Sequence, residues 1–116
     1  WLVRVLSVWV GDEPVQRCAG DAGPQASGCR AVLDTGSPSI IVPGRAVLDV
    51  ESAVGLHGDC SNLATLPDLR VELLGAEGPF SLALSASDYV DRSGTQCFHT
   101  FETIDLPLGS TAMWVL

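Results

Sequence analysis

A mostly-β domain with one short helix is the fold class that this chain of 116 residues predicts. Three observations point there. Apolar residues alternate with polar ones, or run in short β-branched stretches, through 2–10, 69–74 and 80–84, the pattern of half-buried strands. Gly and Pro punctuate the chain at short intervals, as many short strands joined by turns require. A helical period is convincing only once, where Val47, Val50 and Val54 fall at i, i+3 and i+7.

Taken in order, residues 2–10 predict a strand, because Trp1 to Val10 is apolar, interrupted by Arg4 and Ser7, and rich in β-branched residues. Residues 11–28 predict a polar, Gly/Pro-containing loop or loose hairpin. Strands over 29–34 and 39–43 flank a turn at Asp34-Thr35-Gly36. The helix is expected over 45–55, ended by Gly55 and Gly58. A hairpin follows, with 69–74 and 80–84 as its strands and Gly75–Pro79 as its turn. Residues 85–90 read as a connection, 91–94 as a turn, and 95–101 and 111–116 as strands. No internal repeat or low-complexity tract is present.

Composition bounds the function. A hydrophobic fraction of 47% with 17% charged residues describes one packed domain at most, not a disordered chain. Six basic residues against fourteen acidic ones give a net charge of −8, which supplies no basic patch for nucleic acid. Such a balance suits an acidic compartment, where carboxylates begin to protonate. No apolar run reaches the length of a membrane-spanning helix and no signal peptide is visible. The chain opens without Met and closes on Met113-Trp114-Val115-Leu116, both inside apolar segments, so a portion of a longer polypeptide is expected.

The four cysteines suggest two disulfides, with four free buried thiols as the alternative. Cys18–Cys29 would close a loop containing Gly20, Gly23, Pro24 and Gly28. Cys60–Cys97 would tie the middle of the chain to a late strand. Such bridges imply an oxidising compartment. No zinc spacing accompanies them, and no metal or other cofactor is expected. His57 and His99 lack a nucleophile partner or a metal set and read as surface or loop residues. Trp1, Trp9 and Trp114 read as core aromatics of one sheet.

Ala31-Val32-Leu33-Asp34-Thr35-Gly36-Ser37 carries the chemistry. The tripeptide alone arises by chance in about two per cent of chains this long. An isolated match is equally a Gly turn whose Asp caps its own backbone. Here apolar strand stands on both sides, with Ile40-Ile41-Val42 resuming at once. That arrangement predicts a buried carboxylate, and such groups are where acid/base chemistry concentrates.

With the order of elements in hand, the chain resembles the C-terminal lobe of pepsin-like aspartic proteases over nearly its whole length. The resemblance rests on the opening strand with two tryptophans, the short Cys-to-Cys loop and Asp34-Thr35-Gly36-Ser37. It continues through the helix ending near Val54-Gly55, Cys60, Thr65-Leu66-Pro67-Asp68-Leu69, Asp88-Tyr89, Cys97 and Met113-Trp114-Val115-Leu116. The family pairs its cysteines in the way suggested above. The Ser-Pro-Ser-Ile-Ile-Val-Pro run after Gly36 is a departure that looks more like the family's first lobe. That lobe carries a flap hairpin with a Tyr, and residues 70–80 contain none, so the second lobe is preferred.

The resemblance implies that Asp34 supplies one of two aspartates sharing a proton and a bound water, the other coming from a partner lobe. It further implies that Thr35 reaches the equivalent loop of that lobe, that Gly36 lets backbone N–H groups approach the carboxylate, and that the Ser37 hydroxyl hydrogen-bonds it. Tyr89 would be structural, and Ser110 and Thr111 would lie near the substrate cleft. No second Asp-Thr-Gly or Asp-Ser-Gly occurs in the chain, so it is not expected to be active alone. Three functions stay open: one lobe of a bilobal endopeptidase acting on polypeptides, a non-catalytic pepsin-like subunit of a larger assembly, and a retropepsin-like homodimer. The partner in the first two is a missing N-terminal lobe or another chain covering the lobe interface. The compartment implied is secretory, vacuolar, lysosomal or extracellular.

Overall fold

The computed structural model describes residues 1–18, 29–104 and 112–116. Ten strands, one two-turn helix and one further helical turn fill these residues: β1 (Leu2–Val10), β2 (Glu13–Arg17), β3 (Arg30–Val32), β4 (Ile40–Pro43), α1 (Val47–Val54), β5 (Leu69–Gly75), β6 (Gly78–Leu84), α2 (Ala86–Tyr89), β7 (Val90–Ser93), β8 (Gln96–His99), β9 (Phe101–Ile104) and β10 (Met113–Val115). A 3-10 turn covers Leu63–Thr65. The mostly-β expectation holds.

Eight strands form one sheet in the order β6-β5-β1-β3-β10-β4-β9, with β2 also paired to β1. β1 is long enough to hold two partners along one edge, β3 at Leu2–Arg4 and β2 at Ser7–Val10. On its other edge it pairs antiparallel with β5, with a register shift between Val5 and Ser7. That irregularity breaks the period of two and lets Val5, Val8 and Val10 all face inward, opposite Leu73, Val71 and Leu69. Trp114 of β10, with no exposed surface, completes this core, and its indole N–H donates to Gln16 Oε1 at 3.0 Å.

The expected loop over 11–28 begins instead as a hairpin. Gly11 (φ +57°) turns β1 into β2, and its N–H donates to Asp68 O at 2.8 Å. The helix lies where the valine spacing put it. Val50 and Val54 are buried, and Gly55, at φ +63°, ends it with its N–H on Glu51 O. It is not the sole helical element: Ser85 and Asp88 form a capping box that winds 86–89 into a turn. The hairpin is two-residue, with Ala76-Glu77 between the paired Gly75 and Gly78.

The strand expected over 95–101 divides at Thr100. Residues 96–99 pair with β7 as a separate two-stranded ribbon, while Phe101–Ile104 run parallel to β4. Thr100 joins the two, its N–H donating to Tyr89 O and its carbonyl accepting from Ile40 N–H. The segment expected to turn at 91–94 is therefore strand to Ser93. Both disulfides are formed, Cys18–Cys29 and Cys60–Cys97. The loop between the first pair, residues 19–28, lies outside the described residues.

Candidate active site

β10 lies between β3, to which it is parallel, and β4, to which it is antiparallel. A chain leaving β3 for β4 must therefore pass around the end of β10, and Asp34-Thr35-Gly36-Ser37 begins that passage. Two backbone bonds fasten it: Asp34 N–H donates to Leu116 O at 2.8 Å, and Leu116 N–H donates to Val32 O at 2.9 Å. Leu33 N–H donates to Trp1 O at 2.9 Å, so the strand before the aspartate is held from both sides.

Within the loop, Gly36 N–H donates to Asp34 Oδ1 at 2.9 Å. A Cβ at position 36 would stand 3.3 Å from that oxygen, closer than a comfortable contact, so glycine suits the approach. Ser37 N–H reaches Asp34 O at 3.3 Å. The arrangement is a carboxylate with one oxygen already partnered and the other open.

Several expectations change here. The Asp34 carboxylate is exposed, not buried, as are Thr35 and Gly36. Apolar strands bring the aspartate to the rim of a sheet, and nothing among the described residues covers that rim. The Ser37 hydroxyl donates to Ser39 O at 3.2 Å and is not directed at the carboxylate. Trp1 is 93% exposed and no core aromatic, because it precedes β1 at the open end of the sheet. Trp9 is half-buried, donating to Ser7 Oγ at 2.9 Å with the Arg70 guanidinium 5.3 Å from its ring. Ser110 and Thr111 lie outside the described residues.

Of the histidines, His57 is exposed on a loop with Nδ1 2.9 Å from Ser61 Oγ. In the same loop, hydrogen bonds from Ser61 hold the Asp59 carboxyl below its usual range. His99 is not a loop residue: it ends β8, stacks on Phe101 and places Nε2 3.1 Å from Glu51 Oε1 on α1. A cavity of about 290 Å³ beside it is lined by Leu56, Gly58, Cys97, Phe98 and His99, none of them in the aspartate loop. No group of metal-ligating side chains occurs among the described residues. None of the helices there is long and apolar enough to cross a membrane.

One contact beside the loop has no sequence signal. Ser39 Oγ donates to Glu102 Oε1 at 2.7 Å, across 63 residues. Only the parallel pairing of β4 with β9 brings these residues together.

No protein-family model matches the chain. It is similar along its whole length to pepsin A of Sus scrofa (27% identity), pepsin A of Canis lupus familiaris (29%) and cathepsin D of Canis lupus familiaris (30%). It spans 28–29% of the length of these relatives. With the mostly-β sheet and the paired cysteines, this similarity along the whole chain supports a fragment of a pepsin-like aspartic protease.

Proposed function

We propose that this chain is the C-terminal-lobe segment of an aspartic endopeptidase, in which Asp34 is one of two carboxylates that hydrolyse a peptide bond through an activated water. The observation that carries the reading is the Asp34 loop, strapped across the end of β10 with one carboxylate oxygen on Gly36 N–H and the side chain open. Whole-chain similarity to pepsin A and cathepsin D supports it.

The chemistry needs a second aspartate. Two carboxylates about 3 Å apart cannot both ionise comfortably, so the pair holds one proton between them. The ionised partner takes a proton from the water as it attacks the carbonyl. The protonated one hydrogen-bonds the carbonyl oxygen and stabilises the charge that develops there. The shared proton belongs to the dyad, so Asp34 has no fixed role as acid or base. Gly36 supplies the N–H that orients the carboxylate, and Thr35, exposed beside it, is free to reach the matching loop of the other lobe. Ser37 acts through the backbone of the loop, given where its hydroxyl points.

A covering partner also fits the sheet. Leu2, Val32, Val115 and Ile41 share one transverse row across β1, β3, β10 and β4. They face away from the core that holds Ala31 and Trp114. Leu2 is 55% exposed beside the exposed Trp1, an apolar strip of the kind that another lobe or chain covers. The disulfides suit a secreted, vacuolar or lysosomal protein.

In the full-length protein, Asp34→Asn should lower cleavage of an unfolded polypeptide at acidic pH by about 10²–10⁴-fold. The urea midpoint should stay near that of the parent. Cleavage untouched by Asp34→Asn would assign the activity elsewhere. Absence of any cleavage by the parent would favour the non-catalytic subunit.

A further inference from the structure

We infer that Arg4 and Arg30 form an anion receptor on the sheet face turned from the core, filled by a carboxylate of the partner lobe, which deepens the two-lobe reading above and rests on it.

Arg4 of β1 and Arg30 of β3 are register partners in an antiparallel pair, and both are exposed. Side chains directly opposite in such a pair start about 4.5–5.5 Å apart at Cβ, and like charges placed there repel. The pairing is unusual for a chain with no lysine and fourteen acidic residues against six basic ones. Nothing in the chain compensates it. Among the described residues the ion pair joins His99 to Glu51, and neither guanidinium has a carboxylate. Glu72, on the same face of β5, is engaged by the Ser7 hydroxyl.

The setting names the ligand. Leu2 and Val32 are register partners two residues along from Arg4 and Arg30, on the same face. The two cations therefore border the apolar row of Leu2, Val32, Val115 and Ile41. Leu74, 39% exposed, stands beside Arg4 on β5, and Met113 stands beside Arg30 on β10. A lobe that closes over this strip also takes two guanidinium groups out of water. That is costly unless an anion comes with it. A carboxylate has two oxygens, so it can accept from both guanidinium forks and turn a repulsion into a bridge. A net charge of −8 disfavours nucleic acid or an anionic membrane here, and the apolar row calls for a protein surface.

Urea unfolding of the full-length protein at about pH 6, where carboxylates are ionised, tests the receptor. Arg4→Met and Arg30→Met keep an aliphatic stem and remove the charge. Each should lower the midpoint by about 0.5 M, and about 1 M NaCl should shrink that loss. Without an anion, either substitution relieves a repulsion, so a midpoint unchanged or raised overturns the inference. Because the chain has no lysine, Arg4→Lys introduces a side-chain amine that carbodiimide can couple to a neighbouring carboxylate with loss of water. Peptide mapping should find that amide on an acidic residue of the partner lobe. Coupling to a residue of 1–116, or no coupling, overturns the inference. Cleavage of an unfolded polypeptide by the same proteins separates the two readings. A parent that cleaves nothing while both variants lose stability keeps the receptor and ends the proteolytic reading. A parent that cleaves while neither variant loses stability ends the receptor alone.

Discussion

Replacing Tyr89 with Phe deletes one oxygen from a residue that has no exposed surface. The Tyr89 hydroxyl donates to Pro67 O at 2.5 Å, and the ring stacks on Phe101 with centroids 5.5 Å apart. Phe retains the ring and the stack, so the substitution isolates the hydrogen bond and strands the Pro67 carbonyl. An acceptor left without its donor costs about 1–3 kcal/mol. Tyr89→Ala also loses the ring and should cost about 3–5 kcal/mol. Urea unfolding of the full-length protein reads both, in that order. Burial, and then the negative charge of Asp68, push the Tyr89 phenol from 10.0 up to about 12. The folded state thereby favours the neutral phenol. Its contribution is complete below pH 10 and is lost as the pH climbs through about 12. The stability gap between the parent and Tyr89→Phe should be level up to pH 10 and then close. A gap within about 0.5 kcal/mol of zero at pH 7 would refute the hydrogen-bond argument. A gap that stays level through pH 12 would refute the burial argument.

Gly11→Ala should destabilise by about 1–2 kcal/mol, because φ is +57° and the new Cβ would meet Pro67 Cβ at 3.2 Å; thermal unfolding measures it. Replacing both Cys60 and Cys97 by Ala opens the longer disulfide loop and should cost about 4 kcal/mol, against about 3 kcal/mol for the Cys18 and Cys29 pair. Equal losses in urea unfolding would show that loop length does not set the difference.

Where local rules suffice, the elements were legible. β1 falls at its expected residues because β-branched apolar content over nine positions leaves little else. α1 falls within its expected span because three valines share a face and Gly55 can adopt the left-handed conformation that ends a helix. The hairpin of β5 and β6 was readable from two alternating runs around glycines. The capping box at Ser85 and Asp88 is equally present in the sequence as Ser-x-x-Asp, but a single turn has no helical period to mark it. The division at Thr100 was not readable, because it depends on two partners far apart in sequence, Tyr89 at the end of α2 and Ile40 at the start of β4.

The aspartate loop shows the same boundary. The sequence by itself determined which residues form it, which family they resemble and why glycine follows the acid. Those properties reside in a few consecutive residues and in the order of elements. It could not determine whether Asp34 is covered, because apolar flanking strands bury their own side chains without burying the loop between them. Only the tertiary structure decided that the loop rounds the end of β10 and lies open. It also turned the Ser37 hydroxyl toward Ser39 and brought Glu102 to the Ser39 hydroxyl. Burial, side-chain direction and contact across 63 residues depend on strands that meet only after folding.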